Sequence, residues 1–158
     1  MARKLRPGTI TIHGDGPRHE PGTPVAPVVT QSSTFVAPFG PNEDVLYTRY
    51  GNNPNQVRLA ERLARLEGAE AALFVASGMG ATALAHLAVL RPGDHLLASE
   101  WIYGGTRRLF SEDFARLGIE VSYVNPERRR DWRAKARKNT RAIFVETPTN
   151  PVMRVLDL

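Results

Sequence analysis

The sequence predicts an α/β domain with a mostly parallel sheet and helices on both faces, and three observations carry that reading. Apolar runs of strand length alternate with segments of helical period. The runs are nearly continuous rather than alternating apolar with polar, as strands covered on both sides require. The breaks between them fall on turn-forming residues such as Pro92-Gly93-Asp94, the punctuation expected of strand–helix–strand units.

Taken in order, residues 1–45 form an N-terminal arm. From Arg6 to Glu43 the chain is rich in Gly, Pro, Thr and Ser without a sustained helical period, so an extended segment with turns is expected, lying across something else. A helix follows, with Asn55 as N-cap, an apolar stripe of Val57, Leu59, Ala60, Leu63 and Leu66, and Gly68 closing it. The alternation then begins: strand Ala71–Ala76, helix Gly80 to Leu90, strand His95–Ser99, helix Gly105 to Leu117. Strand Glu120–Val124, a short charged helix over Asp131–Lys138 and strand Arg141–Glu146 complete it. Four strands are therefore expected in residues 46–158.

Composition narrows the chemistry. With 158 residues and 42% apolar content, the chain can fill one core. It contains no cysteine, which removes disulfides, thiolate metal sites and cysteine nucleophiles and fits a reducing cytoplasm. No metal site is expected. No apolar run approaches membrane-spanning length, so a soluble, unprocessed protein is expected. A net charge of +5 invites a nucleic-acid reading centred on Arg128–Lys138, but acidic residues interleave with the basic ones, and a solvated amphipathic helix accounts for them.

In open α/β sheets ligands sit at the C-terminal ends of the strands, which directs attention to Ser77–Gly80, Glu100–Thr106 and Glu146–Pro151. Glycines after a strand let backbone amides approach an anion, and the following helix adds the positive end of its dipole. Ser77-Gly78-Met79-Gly80 thus suits a phosphate. Two other readings stand beside it: a plain tight turn, and a dinucleotide fingerprint of Gly78, Gly80 and Ala83 with Glu100 as the ribose-binding acid of a nicotinamide-dependent oxidoreductase. Some seventy residues precede that turn, whereas a dinucleotide-binding domain opens near its first strand. Tyr47-Thr48-Arg49-Tyr50 places an arginine fork beside a phenol, a pairing suited to a phosphate dianion. Tyr103 could stack on a flat heterocycle, and the prolines around Thr149-Asn150 would hold the Asn150 amide in place.

With these residues in hand, the chain resembles the Cys/Met-metabolism, or trans-sulfuration, family of pyridoxal phosphate (PLP) enzymes, which includes cystathionine γ-synthase, γ-lyase and β-lyase. The resemblance runs from about Thr11 to Leu158. It rests on "PVVTQSSTF" at Pro27–Phe35, "YTRYGNNP" at Tyr47–Pro54, "LEGAEAALFVASGMGA" at Leu66–Ala81, "RPGDHLLAS" at Arg91–Ser99, "YGGT" at Tyr103–Thr106 and "ETPTNPVMRVLDL" at Glu146–Leu158. It implies a fold-type I transferase-like large domain. Ser77, Gly78 and Met79 would bind the cofactor phosphate, Tyr103 would stack on its ring, Asn150 would hydrogen-bond its 3-hydroxyl, and Glu146 would lie beside them. Tyr47 and Arg49 would reach the phosphate of a neighbouring subunit in a homo-oligomer, a dimer of dimers in the family. The substrate implied is a small amino acid derived from cysteine or homoserine, undergoing β- or γ-replacement or elimination.

The sequence departs from the family pattern in one respect. The aspartate that pairs with the pyridinium nitrogen and the Schiff-base lysine have no counterpart: the lysines are Lys4, Lys135 and Lys138, and no serine has a lysine three residues on. An incomplete large domain is therefore expected, inactive alone, exposing apolar surface and served by a homo-oligomer or a complementary C-terminal chain.

Overall fold

The computed structural model describes residues 5–13, 21–22, 24, 26–37, 40 and 45–157. The chain divides into two compact units, Met1–Phe74 and Val75–Leu158. Positions 14–20, 23, 25, 38–39 and 41–44 of the predicted arm, Glu43 among them, lie outside the described residues, as do Lys4 and Leu158.

In the first unit, helix α1 (Pro7–His13) replaces part of the expected extended arm. Its β-branched residues Thr9, Ile10, Thr11 and Ile12 are weak helix formers, which hid it from a propensity reading. Pro7 at the start, the Thr11 hydroxyl on the Pro7 carbonyl (3.0 Å) and packing against the next helix hold it. Helix α2 (Pro54–Glu67) is capped by Asn53, whose side chain accepts from the Asn55 amide, and not by Asn55. Pro54 sits at N1, where a missing N–H costs nothing. Asn55 is used otherwise: its side-chain amide exchanges two hydrogen bonds with the Thr30 backbone, at 3.0 and 2.7 Å. Gly68 ends the helix at φ 67°, as expected. Of the apolar face only Ala64 is buried; Leu59 remains 50% exposed and Leu66 41%.

The second unit holds helix α3 (Gly78–Val89), strand β1 (His95–Ser99), helix α4 (Gly104–Arg108) running into a π-helical turn over Leu109–Phe114, strand β2 (Glu120–Val124), helix α5 (Arg129–Lys135) and strand β3 (Thr140–Phe144). The sheet is parallel, in the order β2-β1-β3. From β1 the chain crosses one way to β2 and then back over β1 to β3. Right-handed crossovers in opposite directions put the connecting helices on opposite faces.

One expected strand is missing. Residues 71–76 are not a strand, so the sheet has three strands among the described residues rather than four. A strand exists only through its ladder, and no described backbone group pairs with this run; Leu73 is 70% exposed. The apolar content that suggested a strand is present, and its hydrogen-bond partner is not.

β1 is buried at all five positions. Around it Leu90, Leu96, Ala98, Ile102, Phe110, Phe114 and Ile119 form the core. His86 joins this cluster edge-on to Phe110 and Phe144, at centroid distances of 4.9 and 5.2 Å, with its Nδ1 2.7 Å from the Thr82 carbonyl. Phe110 is wholly buried, so Phe110→Ala is expected to cost about 3–5 kcal/mol, measurable by urea unfolding followed by circular dichroism.

At the N-terminal end of β1, His95 is fully buried, its Nδ1 2.7 Å from Thr140 Oγ1 and its Nε2 without a hydrogen-bond partner among the described residues. Burial, reinforced by Arg137 and opposed by Glu120, lowers its pKa below the ordinary 6.5. The unfolded chain then binds a proton at a pH where the folded one does not. This stabilisation is present above pH 6.5 and is lost as pH falls below it. Unfolding free energies measured from neutral pH down to about pH 5 should fall more steeply for the native chain than for His95→Gln.

Candidate functional site

The three strand-end stretches singled out in the sequence come together in the second unit through two contacts. Met79, in the first turn of α3, meets the Thr106 hydroxyl (3.8 Å to Sδ). Glu146, just beyond β3, accepts the Tyr103 backbone amide on both carboxylate oxygens, at 3.1 and 3.0 Å. β1 and β3 are parallel neighbours, so their C-terminal loops are adjacent although Tyr103 and Glu146 lie 43 positions apart.

Ser77 is the N-cap of α3, in extended conformation, with its hydroxyl accepting the Gly80 amide at 3.0 Å. That leaves the amides of Gly78 and Met79, the first two of the helix, without intrahelical acceptors. A Cβ at Gly78 would meet nothing within 4 Å, so the space before these donors is open. Two free N–H groups at the start of a 12-residue helix are donors of the kind an anion can take, with the helix dipole behind them.

Tyr103 opens α4 and is 52% exposed, which leaves one ring face available for stacking. Asn150 is exposed in a turn held by the buried Thr149, whose amide donates to the Arg154 carbonyl (2.8 Å) while its hydroxyl accepts the Arg154 amide (3.0 Å). The peptide bonds preceding Pro148 and Pro151 are cis. Asn150 makes no side-chain hydrogen bond among the described residues, so its amide is free for a ligand.

In the first unit, "YTRYGNNP" is a self-bonded knot. Asn52 accepts the Tyr47 amide (2.8 Å) and donates to the Val45 carbonyl (2.9 Å); Asn53 donates to the Ser32 carbonyl and to Thr48 Oγ1, both at 3.1 Å. Tyr47 and Tyr50 stack edge-to-face at 5.2 Å. The two asparagines spend their amides on tying the loop to itself and to Ser32 and Val45, and the loop presents Arg49 exposed.

Two expected rivals fare poorly. Gly78 and Gly80 lie inside α3 with no left-handed backbone, and Glu100 contributes its carbonyl to Arg107 (3.3 Å). The basic helix α5 is partly neutralised: Arg129 pairs with Asp157, while its neighbours Arg137 and Arg154 pair with Glu120 and Glu127. No described group of three metal-ligating side chains exists, and no described helix is long and apolar enough to cross a membrane. Sequence reasoning quoted Gly105 and Thr106 within "YGGT" but gave neither a role, and no signal in the sequence sets Gly105 apart from Gly104.

A parallel α/β unit that brings an open helix start against the segment bearing an aromatic ring is an arrangement that suits a phosphate-bearing cofactor. The family model for Cys/Met metabolism PLP-dependent enzymes matches residues 8–158. The chain belongs to that family. An L-methionine gamma-lyase from Porphyromonas gingivalis is 36% identical over 95% of this chain and 39% of its own length. A cystathionine gamma-lyase from Bacillus subtilis is 34% identical over 98% of this chain and 40% of its own. The crystal structure of a putative O-acetylhomoserine (thiol)-lyase from Campylobacter jejuni, which contains a pyridoxyl-lysine phosphate, superposes with a TM-score of 0.83 at 26% identity, covering 97% of this chain and 39% of that one. The fold is thus that of fold-type I PLP enzymes, and the nicotinamide reading is set aside. The chain spans about two fifths of the length of these relatives.

Ser77→Ala removes the α3 cap and is expected to destabilise the fold by about 1 kcal/mol, read as a lowered urea midpoint.

Proposed function

We propose that this chain supplies the PLP-cradling portion of an enzyme of sulfur amino-acid metabolism that carries out β- or γ-replacement or elimination on a cysteine- or homoserine-derived amino acid. The observation that carries the reading is the pair of open Gly78 and Met79 amides, linked through the Met79–Thr106 contact to the segment that bears Tyr103. The residues fit the group. Gly78 and Met79 donate to the phosphate and Ser77 holds the turn; Tyr103 covers the pyridine ring; the Asn150 amide donates to the 3-hydroxyl; Glu146 borders the site. PLP supplies an electron sink for the bonds around the substrate's α-carbon.

The stretches Ser77–Gly80, Glu100–Thr106 and Glu146–Pro151 contain no Lys or Arg. A phosphate dianion there is met by dipoles alone, which supports a cation arriving from elsewhere: Tyr47 and Arg49 of a neighbouring subunit, in a homo-oligomeric dimer of dimers. A complementary chain carrying the remaining family length is the other assembly. The same reading makes the chain alone incompetent for turnover. Its lysines are Lys4, Lys135 and Lys138, and the Lys135 ammonium donates to the Tyr123 carbonyl. A cytoplasmic setting, with free amino acids as substrates, fits a chain without cysteine.

The test is titration of the full chain with PLP, followed by its visible absorbance. Gly78→Pro deletes one amide at a position where proline is compatible with the helix start, because Ser77 is already extended at φ −159° and ψ 157°. Its PLP affinity should fall about 10- to 100-fold with helix content unchanged by circular dichroism; equal affinity would overturn the phosphate assignment. Borohydride reduction should leave no stoichiometric adduct, and one at Lys135 or Lys138 would refute the proposed incompleteness.

A further inference from the structure

We propose that Glu146 and Gly105 act as positioning residues that together set the plane of the Tyr103 ring, Glu146 by gripping the backbone from below and Gly105 by seating the ring from the side. The proposal deepens the functional reading above, because it rests on Tyr103 facing the cofactor.

Two independent observations meet at this one side chain. Glu146 spends both carboxylate oxygens on the single Tyr103 amide, a charge-assisted contact stronger than a neutral hydrogen bond. Both oxygens are thereby engaged by the protein, which assigns Glu146 a role through Tyr103 rather than on the cofactor itself. Tyr103 has no side-chain cap bond of its own as it opens α4, at φ −52° and ψ 134°, so this carboxylate is what anchors the entry to the helix.

Gly105 shows the second constraint. Its φ lies outside the left-handed range, so backbone freedom does not call for glycine there. A Cβ at Gly105 would stand 2.5 Å from Tyr103 Cε1, 3.1 Å from Cδ1 and 3.2 Å from Cζ, whereas one at Gly104 would meet nothing within 4 Å. The ring lies against the bare Cα of Gly105. Any side chain at 105 pushes it away, so the second glycine of the pair exists for the ring and not for the turn. With its amide clamped and one flank seated, the half-exposed ring keeps a defined plane before any ligand arrives, and the ordering cost is already met.

Fluorine NMR of the full chain labelled with fluorotyrosine reads this directly. The four tyrosine signals are assigned by single Tyr→Phe changes, and the Tyr103 signal is followed with and without PLP. Without PLP, Gly105→Ala and Glu146→Ala should each shift or split the Tyr103 signal, while Glu146→Gln, which keeps an acceptor, stays near the native position. PLP affinity should fall roughly 2- to 10-fold in the two alanine variants and recover in Glu146→Gln. A Tyr103 signal unchanged in both alanine variants overturns the positioning role, and if Gly105→Ala fails to fold, the Glu146→Ala and Glu146→Gln pair decides alone. If those variants move the signal but PLP leaves it unmoved in the native chain, the stacking reading falls and takes the cofactor half of the proposal with it.

Discussion

The candidate site depends on the burial of one short strand. β1 is buried along its whole length, and a strand in that situation needs a neighbour on each edge and cover on each face. β2 and β3 supply the edges, both parallel to it, with one register shift against β3 between His95 and Leu96. Parallel pairing fixes the polarity of every loop, so the chain leaves β1 and β3 at the same end of the sheet. That is why a glutamate can reach an amide 43 residues away, each in a different sequence motif. Remove the pairing of β1 with β3, and Tyr103 and Glu146 have no reason to meet.

The electrostatics follow from the same arrangement. The chain carries a net charge of +5, yet none of that excess sits in the three strand-end loops. Part of the basic charge near α5 is met by acidic partners, Arg129 by Asp157 and Arg137 by Glu120. At the proposed site an anion would be met by oriented peptide groups, which are fixed in direction and need no side-chain ordering on binding. Glu146 would oppose an anion if its charge were free, and its engagement with the Tyr103 amide offsets part of that opposition.

Much of this was legible in the sequence. Strands β1, β2 and β3 were readable as short runs set off by turn residues, and the end of α2 because Gly68 is a strong terminus; the start of α3 was placed at Gly80, two residues late, because Ser77 was read as part of the turn and not as the cap. The family followed from motifs that recur in order. The strand at 71–76 was misread because an apolar run records only the propensity for a ladder, while the partner is a long-range fact. The cap of α2 was misplaced by two residues because Asn52, Asn53 and Asn55 are all competent caps; only the fold shows that Asn52 closes the preceding loop, Asn53 caps and Asn55 grips Thr30. Helix α1 was hidden by its β-branched residues. Gly105 was invisible because nothing in a string of letters tells a glycine chosen for its backbone from one chosen to make room for a ring.

At the end of the sheet away from the site, the strands are tied by side chains. Arg137 pairs with Glu120 across β1, Arg141 lies 3.6 Å from Asp94, and Asn139 donates to the Gly93 carbonyl at 2.8 Å. His95 and Thr140 add a tie between the strands themselves. Side-chain cohesion is thus invested at one end of the sheet, and the candidate site lies at the other. Exchanges of residues in the loops beyond β1 and β3 leave the sheet's fastenings untouched, which is the condition under which one scaffold can vary its loops.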